Sequence, residues 1–475
     1  MSLPRSIWAG FFLFWFLSPV ASVQDLRMSD VRQFGATGNG LDDDTEAIRH
    51  AIRDGDGLLE FPAGTYKISS PIEIQVGRRG PCAITGDSGA ATIRMTGPGP
   101  ALRLIGNHGG TGDPGSVKPA VWDRERMPTL RGIVIEGAHA EADGIQLRGT
   151  MQAIIDGVLV RRARHGIHLV ERNRNLIITN CHVYHNRGVG VFLDGINLHQ
   201  INITGSHISY NRLGGIRIEG SEVRNLQITG NDIEYNNAKS HRGLESEPTA
   251  EIWIDATAEG ASVNEITIAS NTIQATESAG GANIRIIEKA DKSRPPGLIC
   301  ISGNVIGSQE NNVHLSGCYG VTLSGNTIYS CGKRNLLIED SRLISIGNNQ
   351  FRRHTPSFGT GVRLESSQDC TINGCTFHDE APEGQASGAS LLELAACRRV
   401  SVTGCAISNG VPYGIDAQDC IDVLVTGCTI AESRQPPHAA GAVRFWGEGS
   451  GNRLSSNAIS GKIAIDRPAG VVPES

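Results

Sequence analysis

Asp194, Glu219 and Asp255 hold the same place in three consecutive copies of one alternating phrase: GVFLD from Gly190, GIRIE from Gly215 and EIWID from Glu251. If the copies are neighbouring strands, the three carboxylates stand in file about 4.8 Å apart on one face of a sheet. Like charges opposed across adjacent strands destabilise a sheet. Carboxylates that close cannot all ionise freely unless a cation sits among them. Such a cost marks a candidate site for acid–base chemistry. Asp194 and Asp255, two strand steps or roughly 10 Å apart, are the expected acid and base, with Glu219 tuning them. Inverting glycoside hydrolysis uses carboxyls about 6.5–9.5 Å apart, a range that side-chain tilt brings within reach.

The same phrases set other groups beside the file. Arg217 and Arg285 suit the planar carboxylate of a uronic acid. Trp253 points outward, where an indole can stack on a sugar face. His168 and His314 stand at either end, and Glu251 opens the central strand. These six residues are the expected substrate contacts. Three long insertions, Gly106–Thr129, Asn236–Ala250 and Glu288–Gly297, are expected to wall a groove around them.

What must position these groups is a repeat. An aliphatic residue, two small or polar residues, Asn or Cys, any residue and another aliphatic recur as ITNCHV at Ile178, ITGNDI at Ile228 and ISGNVI at Ile301. LSGNTI at Leu323 and VTGCTI at Val425 continue the series. Each repeat also carries a second alternating segment, such as GIHL at Gly166 or NVHL at Asn312. Period-two alternation means strands, and no helical stripe separates them. Short strands stacked at this repeat length predict an all-β, single-stranded, right-handed parallel β-helix of about 12 coils. The Asn is expected in a tight turn, in left-handed geometry, its amide bonding from coil to coil.

Near the start, Val31-Arg32-Gln33-Phe34-Gly35-Ala36-Thr37-Gly38, Asp42-Asp43-Asp44-Thr45-Glu46-Ala47 and Phe61-Pro62-Ala63-Gly64-Thr65-Tyr66 resemble the opening segment of the pectate-lyase-like β-helix superfamily. That group holds polygalacturonases, rhamnogalacturonases, polysaccharide lyases, epimerases and phage tailspikes. The resemblance implies the fold and, more weakly, action on a polysaccharide. On its own residues, Asp44 is expected to cap a helix running to about Ala51, which plugs the first coil. The polygalacturonase signatures (Asn-Thr-Asp, paired Asp-Asp, Gly-His-Gly, Arg-Ile-Lys) are absent as ordered sets, so no catalytic residue is carried over.

The chain has 475 residues, a net charge of −6 and a pI of about 6.2. That balance argues against a nucleic-acid partner. Arg5 followed by the apolar run Ile7–Leu17 and Val20-Ala21-Ser22 reads as a signal peptide over residues 1–22, giving a secreted or periplasmic protein with no membrane span after cleavage. A cap with the first coils then fills 23–100 and the remaining coils 101–475. The eleven cysteines are expected mainly as free, stacked thiols, and no spacing supports zinc. Three activities remain in view. The first is a glycoside hydrolase on an acidic, uronate-containing glycan, needing no cofactor. The second is a lyase or epimerase, whose acids would hold Ca²⁺. The third is a non-catalytic glycan-binding solenoid.

Overall fold

The computed structural model describes residues 29–241, 247–289, 295–380, 388–434 and 437–472. The expected signal peptide lies outside them. Every strand pairing in the solenoid is parallel, and the strands stack into three long ladders. One coil shows the plan: Glu222–Thr229 belongs to the first sheet, Asp232–Glu234 to the narrow second sheet, and Ala250–Asp255 to the third. Each residue stands opposite its counterpart in the next coil, as Ile228 does with Ile268, Ile233 with Ile273 and Ile252 with Ile284. These inward aliphatics are fully buried. Burying each stabilises the fold by about 1.5–3 kcal/mol before the entropy of ordering is counted.

The solenoid is a right-handed parallel β-helix of about 16 turns rather than 12. The additional coils come at the two ends, where strands such as Leu58–Phe61 and Ala83–Gly86 continue the first sheet without the Asn phrase. Helix Thr45–Asp54 closes the first coil with Ile48 and Ala51 buried. Asp44 sits at its N-cap position, but its carboxylate turns away to accept the Thr37 and Gly38 amides at 2.6 and 3.2 Å. Asp43 takes the first-turn duty instead, accepting from Thr45 N at 3.0 Å.

The Asn phrase builds an amide ladder inside the turn. Asn231 Nδ2 donates to Asn271 Oδ1, Asn271 to Asn304, Asn304 to Asn326 and Asn326 to Asn349, all at 2.9–3.1 Å. Left-handed geometry falls on the residue before the Asn, at Gly230, Ser270, Gly303, Gly325 and Asn348. That residue makes the corner, which frees the next side chain to point inward. In the later coils Cys375, Cys405 and Cys428 replace the amides, and the Cys405 amide donates to Cys428 Sγ at 3.4 Å. All eleven cysteines are free thiols.

Candidate functional site

The third sheet carries two outward columns. In the first, Gln146, His168, Phe192, Arg217, Trp253, Arg285 and His314 are successive partners in register. In the second, Asp194 stands opposite Glu219 and Glu219 opposite Asp255. Alternation fixes this arrangement, since the intervening Leu193, Ile218 and Ile254 must face the core.

Each carboxylate in the file has its own partner, which offsets the crowding. Asp194 Oδ2 lies 3.0 Å from His168 Nε2, and Glu219 Oε2 lies 3.0 Å from Arg217 Nη2. Asp255 accepts from Thr257 N at 3.1 Å and Thr257 Oγ1 at 2.7 Å. Asp194 keeps 48% of its side chain in solvent, so it stands at the lip of the sheet while its partner lies behind.

Behind it is a relay absent from the sequence reading. His168 is buried, and its Nδ1 lies 3.3 Å from Asp143 Oδ2. Asp143, also buried, is gripped by Arg164 through Nε and Nη2, both at 2.8 Å. Burial alone would push the Asp143 carboxyl up, but Arg164 and His168 outweigh it and hold it far below the usual range. Burial likewise opposes the His168 imidazolium, yet its bonds to Asp143 and Asp194 raise it above the ordinary histidine value. Phe192 stacks on His168 with centroids 5.4 Å apart. His165, pushed down to about 4 by burial, lies against both rings and accepts the Val189 amide. Asp143 escaped the sequence reading because it precedes the strand phrase by one residue and belongs to neither column. Its signal was an acid immediately before Gly144, in the place that His165 holds before Gly166.

Two expected contacts change character. Glu251 is 1% exposed and faces the interior, where it ends a second amide ladder running Asn186, Asn211, Asn236. Burial pushes its carboxyl well above the usual range, against the Asn236 hydrogen bonds. Its two oxygens are held by the Asn236 amide and backbone N–H inside the coil, away from the outward columns. Trp253 is clamped between guanidinium groups, Arg217 at 4.6 Å and Arg285 at 5.1 Å from its ring centroid. Its column neighbours at strand spacing are thus both arginines, so the ring stands within cation–π distance of the coil on either side. Arg285 itself is buried and donates to Gly280 O at 2.5 Å. His314 lies 2.7 Å from Glu339.

The expected walls also differ. The described part of the Asn236 insertion lies against the corner between the second and third sheets, with His241 bonded to Tyr210 O at 2.8 Å and Lys239 to Glu277 O at 2.6 Å. Arg242, and 290–294 of the Glu288 insertion, fall outside the described residues. The Gly106–Thr129 insertion follows the corner after the acid sheet, its carbonyls at Thr111 and Gly112 taken by Arg174 at 2.8 and 3.0 Å. Among the described residues no three His, Cys, Asp or Glu side chains converge as metal ligands.

A family model described as "Right handed beta helix region" matches residues 121–282 and 250–415, together more than half of the chain. The protein belongs to the right-handed beta-helix family. No curated protein matches it significantly in sequence. Among solved structures, this β-helix protein is similar to the pre-mature bacteriophage phi29 gene product 12, at 15% identity and a TM-score of 0.56, over 94% of this chain and 58% of that one. It is also similar to the Dettilon tailspike protein (15% identity, TM-score 0.47, 91% and 67% of the two chains). The Azotobacter vinelandii mannuronan C-5 epimerase AlgE6 A-module matches at 16% identity and a TM-score of 0.39, over 91% of this chain and 99% of that module. At such identities these likenesses concern the fold alone. In the β-helix family's terms, the acid file and its relay occupy the outer face of one sheet. Among the described residues no helix is long and apolar enough to cross a membrane.

Proposed function

We propose that the protein is an exported enzyme acting on an acidic, uronate-containing polysaccharide, as a glycoside hydrolase, with Asp194 at its centre. The observation that carries this reading is the Asp143–His168–Asp194 relay: a buried carboxylate lies against one nitrogen of a buried imidazole, and a solvent-facing carboxylate lies against the other. Asp194 then keeps lone pairs toward solvent, the arrangement of a general base for water. Asp255, two strand steps along, is placed to protonate a leaving group, and Glu219 holds Arg217 between them. An extended glycan along the solenoid axis would meet successive coils, with the partly exposed Arg217 offering positive charge to its carboxylates.

A second reading, uronate β-elimination or epimerisation, is favoured by one observation. Glu219 and Asp255 already act as acceptors, from a guanidinium and from a backbone amide with a hydroxyl. A base with neighbouring cations suits proton abstraction beside a carboxylate. Incubating the purified protein with polygalacturonate, rhamnogalacturonan, alginate and sulfated glycans, with and without EDTA, tests both. New reducing ends without unsaturated-uronate absorbance are expected for the hydrolase, and absorbance growth for the lyase. Binding without turnover, unchanged in Asp194→Asn and Asp255→Asn, would reject catalysis in favour of a glycan-binding solenoid.

A further inference from the structure

The corner after the acid sheet carries a second file, of opposite sign. Arg174, His199 and Arg224 are register partners on three successive coils, and Arg172 lies one outward position before Arg174. These coils also hold Asp194 and Glu219, a few residues upstream. Cations opposed at strand spacing repel as carboxylates do, yet the two files are treated differently. Each acid has a charged or hydrogen-bonding side-chain partner. Among the described residues no carboxylate lies within ion-pair distance of Arg172, Arg174 or Arg224.

What they touch instead is neutral. Arg172 donates to Gly110 O and Asn197 Oδ1, and Arg174 to Thr111 O and Gly112 O. Arg224 donates to Val223 O and to Ser262 through its carbonyl and hydroxyl. Arg174 is 5% exposed and its Nε has no partner; His108, equally buried, has an unpartnered Nδ1. A buried donor without an acceptor is costly. The nearest acids are otherwise engaged: Glu171 pairs with Arg148, and Glu222 takes the Asn197 amide. Glu265 acts on His199 in the opposite sense, but less than Arg174 or Arg224. The field registers on both histidines. Burial first, then Arg174 and Arg172, push His108 down to about 4. Burial with the charges of Arg174, Arg224 and Arg172 lowers His199.

We propose that Arg172, Arg174, His199 and Arg224 form an oxyanion-binding site along this corner, taking a sulfate, phosphate or carboxylate group. Two guanidinium forks flanking an imidazole match the planar or tetrahedral array of oxygens such a group presents. Gly112 rests on the ring of His199: a Cβ there would lie 2.3 Å from His199 Cε1, so any larger residue would displace the imidazole. The anion could be free or carried on a glycan as a uronate or sulfate ester. The site stands whether or not the acid sheet turns over a substrate.

The test follows the His199 ring signals by NMR in the full chain, titrated separately with sodium sulfate, sodium phosphate and galacturonate oligomers, at constant ionic strength in chloride. An anion in the site should raise the His199 titration midpoint by about one pH unit, because it offsets the charge of the three arginines. Arg224→Gln, at the partly exposed rim, should weaken binding at least tenfold in calorimetry. Saturation by sulfate or phosphate alone identifies a free anion, and saturation by the oligomers alone identifies a glycan-borne one. A His199 midpoint unmoved by all three, measured on the unaltered protein, would overturn the proposal and leave the arginines as staples for the insertion.

Discussion

His168–Asp194 and His314–Glu339 are the same device placed five strands apart on one sheet. In each, the histidine stands in the first outward column and its acid lies two residues beyond the histidine's partner on the next strand, Phe192 or Leu337. The contacts are 3.0 and 2.7 Å. Burial disfavours the charged ring in both, yet the outcomes are opposite. His168 has Asp143 on its other nitrogen and is raised above the ordinary histidine value. His314 has no partner for Nδ1 and has Arg285 beside it, so burial prevails over Glu339 and the ring is lowered. Register decides that a histidine meets an acid. The group behind the ring decides in which direction its proton affinity moves.

The largest difference expected between the pairs is in turnover. Asp194→Asn should lower kcat/KM on the uronate glycan by about 10²–10⁴-fold, the usual worth of a positioned acid–base group. Glu339→Gln should leave it within about threefold. Equal losses would mean that both pairs serve one reaction, and the comparison would fail. Next comes stability. Asp143→Asn removes one partner of a buried ion pair, a change worth about 3–5 kcal/mol where both partners are dry. Arg164 keeps 39% of its side chain in solvent, which lowers the expectation to about 2–3 kcal/mol. Urea melts of Asp143→Asn against Glu339→Gln check it, the latter being expected within about 1 kcal/mol of the parent.

The sequence carried the columns because they depend on two simple regularities, strand alternation and a turn phrase repeated once per coil. Both hold from Ile178 onward, so Asp194, Glu219 and Asp255 could be stacked residue by residue. Before that point the phrase fades, and the early coils were undercounted. Side-chain direction at the corners was not legible. Glu251 shares its strand with Trp253 and Asp255, but near the strand's start it faces inward to meet Asn236. Trp253 does point outward, yet its neighbours at strand spacing are both arginines, and the charge of a column says nothing of which ring face stays open. Asp143 depends on a contact across the sheet corner between coils, for which neither period offers a marker.

The remaining predictions concern protons. Followed by NMR, His168 should titrate above its unperturbed value of about 6.5 and His314 below it. The signs give opposite pH dependences of stability. A raised folded value means that the His168 contribution is complete below about pH 6.5 and fades as pH rises through the folded value. Comparing His168→Gln with the parent, the stability difference should therefore be largest at acidic pH. For His314 the unfolded chain binds more protons, so the parent loses stability relative to His314→Gln as pH falls below about 6.5. The smallest effect isolates the cause. Arg285→Gln removes the cation beside His314 and should raise its midpoint by about half a pH unit. His168 lies five strand steps away, roughly 24 Å, well beyond the screening length of about 8 Å at physiological salt, and should not move. A matching displacement of both midpoints would show one electrostatic network along the sheet, and the two pairs would then have to be treated as a single titrating system.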